Sequence, residues 1–310
     1  MMKFCGEAIN RCCNWIDEKI DDGTCIPVVR AAHSSMRQIG NVLVFVVYFI
    51  SLTLAFTSFF IILPYEQLYK PPALLFCLSI IGLYVLIHIQ YHYYKARTSQ
   101  PVANPGEEGD AFCAKCNYWK SAKTHHCSVC RKCILGMDHH CIWINQCVGS
   151  HNHRHFFLFI ANLTVAAAII VIAGFPSAYD HVFLETSDST YCTAILEYAP
   201  LQGFICDYDG FARTSIVFVW LLSVILGIMV GGLTLWNGYL ISIGYTYIDY
   251  LGISKQRNKP ARLNRGLKQN WKNFLGLRRN RTFFQCVILP SSLPPICYEQ
   301  ISKFDPFEVV

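Results

Sequence analysis

The sequence predicts an α-helical integral membrane protein, with four transmembrane helices and a cytosolic, cysteine-rich two-zinc domain between helices 2 and 3. Three observations predict it. Hydrophobic residues make up 53% of the 310 and charged residues 15%, and the apolar ones gather in runs at about 42–63, 73–91, 156–178 and 215–243. About 20 apolar residues span a hydrocarbon core, so each run is long enough. Lysine and arginine are distributed unevenly among the connecting segments. Between the second and third runs, cysteine and histidine recur at one fixed interval.

Residues 1–40 form a cytosolic N-terminal segment. Asp17, Glu18, Asp21 and Asp22 make it unlike a cleaved signal peptide. Its Cys5, Cys12, Cys13 and Cys25 lie where juxtamembrane thiols can be lipidated, though ordinary free thiols are the commoner case. Residues 41–94 carry helices 1 and 2, whose connection, 64–72, is too short for a domain and predicts an antiparallel pair. Residues 95–154 are the zinc-binding domain, entered through a Pro-, Gly- and acid-rich turn at 98–110. Helices 3 and 4 occupy 155–243 with a lumenal loop at 179–214, and 244–310 is a cytosolic tail. In helix 4, Gly227, Gly231 and Gly232 are spaced for close helix approach. The tail mixes aromatics with base around Tyr245, Tyr247, Trp271 and Phe274, which predicts short interfacial helices. Residues 285–310, with Pro290, Pro294 and Pro295, predict loose order.

Orientation follows from the loop cations. Eleven Lys and Arg follow residue 243, and Lys95, Arg97, Lys115, Lys120, Lys123, Arg131, Lys132 and Arg154 surround the cysteine cluster. The 179–214 loop has six acids and one base, Arg213. The positive-inside rule puts both termini and the cluster in the cytosol, where thiols stay reduced and favour metal. Cys192 and Cys206 face the lumen, where a disulfide can join them.

The cluster repeats with a 14-residue period. Cys113-x2-Cys116-x9-His126-x6-Cys133 is followed, 14 residues on at every position, by Cys127-x2-Cys130-x9-His140-x6-Cys147. Three thiolates and one imidazole are a structural zinc complement. Histidines come as the pairs His125-His126 and His139-His140, also 14 apart, so spacing leaves open which member of each pair binds. Nucleic acid, a common ligand of soluble CCHC knuckles, is not expected for a module tied to a bilayer without a stacked aromatic series.

Cys141 belongs to neither set. A cysteine nucleophile needs a base, and the base gains from an acid that fixes its tautomer; Asp138, His139 and Cys141 supply all three within four residues. A membrane adaptor that only docks partners would need no thiol there. A channel or transporter would need a charged pair in its spans, and the spans show none.

Asp138-His139-His140-Cys141, with the zinc spacing before it and Trp143, Asn145, Cys147, Gly149, Asn152 and Phe156 after it, resembles the DHHC family of protein S-acyltransferases. Outside that core, Asn104-Pro105-Gly106 is similar to the family's Asp-Pro-Gly signature, and Thr246-Tyr247-Ile248-Asp249 to its Thr-Thr-x-Glu signature without the second Thr. Asn270 matches a structural asparagine of its C-terminal motif. The resemblance implies one zinc held by Cys113, Cys116, His126 and Cys133, and a second held by Cys127, Cys130, His140 and Cys147. It implies Cys141 as nucleophile, His139 as base and Asp138 as its orienting acid. Palmitoyl-CoA or another long-chain acyl-CoA is then the co-substrate, and proteins with membrane-proximal cytosolic cysteines are acceptors. Arg131 and Lys132, with Arg262 and Arg265, are candidates for the CoA phosphates, and Ala166 for the acyl chain. The expected location is an endomembrane, endoplasmic reticulum or Golgi.

Overall fold

The computed structural model describes residues 26–101, 106–108, 110–121, 123–184, 202–208, 210–255, 264–277 and 281–291. Cys5, Cys12, Cys13, Cys25, Asn104, Pro105, Cys192 and Arg262 lie outside these. Four helices are long and apolar enough to cross a membrane, over Ser34–Leu68, Pro72–Thr98, His153–Ala173 and Phe211–Ile243. The first comprises α1 (Ile26–Thr57), a π turn (Ser58–Ile62) and two short helical turns, Leu63–Tyr65 and Glu66–Leu68. The second, α2 (Pro72–Thr98), starts on a proline, whose missing N–H costs nothing at a helix start. Outward-facing Phe45, Phe76, Ile172 and Leu235 are strongly exposed. An apolar belt of that extent suits lipid contact.

The third span stops short of the apolar run that suggested it. α3 (His153–Ala173) ends at Gly174, and a new helix, α4 (Phe175–Phe183), begins with Pro176 in its first turn. Proline cannot donate the helical hydrogen bond and so ends the helix before it. Gly174 is also needed for space, since a Cβ there would lie 2.7 Å from the Ile170 carbonyl. α5 (Gln202–Cys206) precedes the long α6 (Phe211–Ile243), which closes on left-handed Gly244. Cys206 is disulfide-bonded.

α3 packs between α2 and α6. The glycines of α6 allow this: a Cβ at Gly227 would touch Ala167 Cβ at 3.7 Å, and one at Gly231 would touch Thr164 at 3.4 Å. Gly232 has nothing within 4 Å and plays no such part.

Between α2 and α3 lie three antiparallel hairpins: β1 (Ala111–Cys113) with β2 (Tyr118–Lys120), β3 (Thr124–Cys127) with β4 (Lys132–Leu135), and β5 (His139–Cys141) with β6 (Gln146–Val148). They dock on the ends of the bundle. Asn152 Nδ2 donates to the carbonyls of Ala96 and Cys147 at 2.7 and 3.0 Å, and Gln146 Nε2 to those of Ala96 and Ser99. Tyr93 Oη donates to the Trp143 carbonyl at 2.9 Å.

The tail is more ordered near the bundle than its prolines suggest. α7 (Tyr247–Lys255) and α8 (Leu267–Leu275) follow α6, and α8 is tied back by Asn270 Nδ2, which donates to the Ser242 carbonyl at 2.8 Å. The expected loose order from 285 onward does not hold for 285–291. Phe284–Ile288 forms a π turn that buries Cys286 and accepts, at the Ile288 carbonyl, a 3.0 Å hydrogen bond from Tyr84 of α2. A hydrogen bond from a membrane helix and the burial of Cys286 outweigh the proline signal there.

Candidate active site and metal centres

The 14-residue period is a repeat of hairpins. Each hairpin turns through a knuckle whose last residue has positive φ: Asn117 (57°), Arg131 (55°) and Asn145 (50°). The residues at the start of the knuckles, Cys113, Cys127 and Cys141, pair across the ladder with Tyr118, Lys132 and Gln146 in the same register. Each metal centre is shared between consecutive hairpins. The first takes Cys113 and Cys116 from the knuckle of β1–β2 and the cross-strand pair His126↔Cys133 from β3–β4. The second takes Cys127 and Cys130 from the next knuckle and the pair His140↔Cys147 from β5–β6.

The donor geometry fits zinc. Cys113, Cys116 and Cys133 Sγ lie 3.6, 3.3 and 3.8 Å from His126 Nδ1, and Cys127, Cys130 and Cys147 Sγ lie 3.8, 3.3 and 3.6 Å from His140 Nδ1. A tetrahedral ion with Zn–S of about 2.3 Å and Zn–N of about 2.0 Å needs S···N edges of about 3.5 Å. His126 and His140 therefore turn Nδ1 into the two sets, while their neighbours His125 and His139 stay outside them.

His139 faces a different set of partners. Its Nδ1 is 2.8 Å from Asp138 Oδ2, and Cys141 is the other side chain that acts on its charge. Burial lowers the basicity of His139, but the hydrogen bond to Asp138 and the charge of Asp138 and Cys141 outweigh it, raising the imidazole to about 9. Asp138 is 3% exposed. Burial pushes its carboxyl up, but bonds to His139 and to the Tyr247 amide, with the charge of His153 and His139, hold it below the usual carboxylate range. Phe156, at a ring separation of 5.3 Å, covers His139 from the bundle side. Three side chains within four residues converge because β5 is anchored at its centre and just before its start: His140 points to the second metal set, and Asp138 N donates to the Val148 carbonyl at 2.9 Å.

Sequence reasoning missed two contributors. Tyr247 donates its backbone N–H to Asp138 Oδ1 at 2.6 Å, so the segment after the fourth span completes the carboxylate's bonding. A capping box holds that amide in place: Thr246 N to Asp249 Oδ2 at 3.1 Å, and Asp249 N to Thr246 Oγ1 at 3.2 Å. The Thr-x-x-Asp spacing was the available signal. Tyr93 was the other, and a tyrosine in an apolar run carries no such signal.

Cys141 is 7% exposed and packs in one apolar cluster with Tyr93, Ile144, Val148, Phe156 and Phe159. Val85, Ile89, Leu163 and Ala166 join that cluster to an apolar cavity running between α1, α2, α3 and α6 as far as Glu66 and Gly174. Ala166 thus lines the cavity. Arg131 and Lys132 are exposed at the second knuckle and do not line it. Arg265 lies just before α8, its amide donating to Asn270 Oδ1 at 3.1 Å.

Residues 106–253 match the family described as DHHC palmitoyltransferase. Mouse palmitoyltransferase ZDHHC16 is 37% identical over 225 residues, covering 68% of this chain and 59% of that protein. The human protein of the same name is 35% identical over 232 residues, covering 68% and 61%. Zebrafish palmitoyltransferase ZDHHC16A is 29% identical over 314 residues, covering 89% and 81%. The chain therefore spans about three fifths of the length of the mouse and human relatives.

Proposed function

The chain belongs to the DHHC palmitoyltransferase family, and from that premise we propose that it is a protein S-palmitoyltransferase acting through an acyl-enzyme on Cys141. The observation that carries the proposal is the convergence of Asp138, His139 and Cys141 beside an apolar cluster that continues into the cavity.

His139 holds the proton taken from Cys141, and Asp138 holds His139. The Cys141 sulfur adds to the thioester carbon of a long-chain acyl-CoA, forming a C–S bond and moving the carbonyl π pair onto oxygen. Collapse restores the carbonyl and breaks the bond to CoA sulfur, and CoA leaves with the proton from His139. A cysteine thiol of a membrane-proximal substrate then gives its proton to His139 and attacks the acyl-Cys141 carbon. The chain moves to that sulfur, and the Cys141 thiolate returns beside the protonated imidazole.

Each methylene kept out of water is worth about 0.8 kcal/mol, so the acyl chain stays in the cavity while CoA remains in water. Arg131, Lys132 and Arg265 are the cations proposed for its phosphates, and Ala166 the cavity residue beside the chain. Cys113, Cys116, His126 and Cys133 would hold one zinc, and Cys127, Cys130, His140 and Cys147 the other. Bound zinc supplies folding energy to the hairpins and leaves the acyl chemistry to the side chains. The zinc domain and both termini face the cytosol in this reading, in an endoplasmic reticulum or Golgi membrane.

The test is labelling of the full chain with an alkyne palmitate analogue. Hydroxylamine-sensitive label is expected on the natural chain and lost in Cys141→Ser. Label that survives that change unaltered overturns the acyl-enzyme.

A further inference from the structure

The third hairpin is built as a zinc knuckle without a metal, and this accounts for a buried donor beside the nucleophile. Counting by 14 from Cys116 and Cys130 leads to Ile144, as counting from Cys113 and Cys127 leads to Cys141. In the second metal-binding knuckle, the amide at the matching position serves the first cysteine's sulfur, Cys130 N donating to Cys127 Sγ at 3.4 Å. In the first, the Cys116 amide donates to the Cys113 carbonyl at 3.2 Å. Ile144 supplies the equivalent amide. The residue is 0% exposed, and among the described residues no hydrogen bond takes its N–H. Buried backbone donors are rarely left unpaired, so this N–H is available to an incoming acceptor oxygen.

The orientation of that donor is fixed from the membrane side. In a trans peptide the C=O and N–H point in opposite directions, and the carbonyl of the 143–144 peptide accepts the Tyr93 hydroxyl at 2.9 Å. Tyr93 is 1% exposed and shares the apolar cluster of Cys141 and Ile144. Its hydroxyl therefore pins the peptide plane from the side opposite the N–H.

We propose that the Ile144 N–H, aimed by the Tyr93–Trp143 hydrogen bond, is the oxyanion donor for acyl transfer at Cys141. The proposal rests on the reading of Cys141 as the acylated nucleophile. When the Cys141 sulfur adds to the thioester carbon, the π pair moves to the carbonyl oxygen. The amide stabilises that negative oxygen until the pair returns and CoA sulfur, or in the second step Cys141 sulfur, is expelled. Tyr93 is a positioning residue, since it acts through the peptide.

The test is amide-to-ester replacement at Ile144 in the full chain, introduced by nonsense suppression with the matching α-hydroxy acid. Single-turnover acylation of Cys141 by palmitoyl-CoA is followed, with zinc content and the half-saturating acyl-CoA concentration measured alongside. The ester is expected to slow acylation about 100-fold, the usual size of one lost oxyanion donor, with two zincs retained and half-saturation unchanged. The same replacement at Asn145, whose N–H bonds only the Ile142 carbonyl at 3.2 Å, is expected to stay within about threefold. Tyr93→Phe should slow the step about fivefold, the size of one ordinary hydrogen bond. In that background the Ile144 ester should cost less than in the natural chain. An Ile144 ester within threefold of the natural rate, or one matched by the Asn145 ester, overturns the assignment. If the natural chain forms no thioester at Cys141, the underlying reading falls and the donor with it.

Discussion

At the residue scale, the proposed acyl transfer depends on one imidazole held between a carboxylate and a thiol. Asp138→Asn keeps the shape but removes the charge that raises His139 and fixes its ring. Losses of about 10⁴ accompany the equivalent change in a serine triad. Acylation of Cys141 in Asp138→Asn should fall by at least about 100-fold with both zincs retained, checked by single-turnover labelling alongside metal analysis. The side chains of this site were legible in the sequence, because Cys141 is left over once two complete ligand sets are filled and stands next to a histidine and an acid. The amides of Tyr247 and Ile144 were not. A backbone N–H leaves no mark on residue identity, and Ile144 reads as one more apolar residue.

At the element scale, hairpin register explains why six very short strands hold together. Two-stranded hairpins are marginal in water, and none of these exceeds four residues per strand. Chelation should therefore unfold the module. Proteolysis within 99–152 is expected to accelerate as zinc is withdrawn, and cleavage patterns with and without chelator check this. The start of α1 gives a second prediction. Arg37 Nη2 donates to the Cys130 carbonyl at 3.3 Å, and Asn145 Nδ2 donates to the Arg37 carbonyl and Asn41 Oδ1 at 3.1 and 2.9 Å. A Cβ at Gly40 would lie 2.5 Å from Asn145 Cγ, a side chain those bonds prevent from swinging away. Gly40→Ala should destabilise the docked module by about 1–3 kcal/mol, read as a lower thermal midpoint. Hydropathy located the four spans but misjudged this end. The helix runs on past the apolar residues because its polar start grips the zinc module instead of lipid.

At the scale of the whole molecule, Cys141 shares an apolar cluster with residues of the helices that line the cavity. Filling the cavity should shorten the preferred chain. Ala166→Phe removes room for about two methylenes, worth about 1.6 kcal/mol, so palmitoyl transfer should fall about 15-fold relative to myristoyl transfer in a competition between the two acyl-CoAs. The shape of this cavity was not legible, because it depends on how α1, α2, α3 and α6 pack, including a π turn at Ser58–Ile62 that no local pattern announces.

The bond from Tyr247 to Asp138 also bears on how the protein is made. Asp138 is synthesised more than a hundred residues before its partner, and two helices must cross the bilayer in between. A chain still on the ribosome, or one truncated before Tyr247, has its zinc hairpins and its thiol but lacks the amide that completes the carboxylate. Under the proposed function such a chain should acylate slowly, so an unfinished copy is expected to spend little acyl-CoA until its last span is seated.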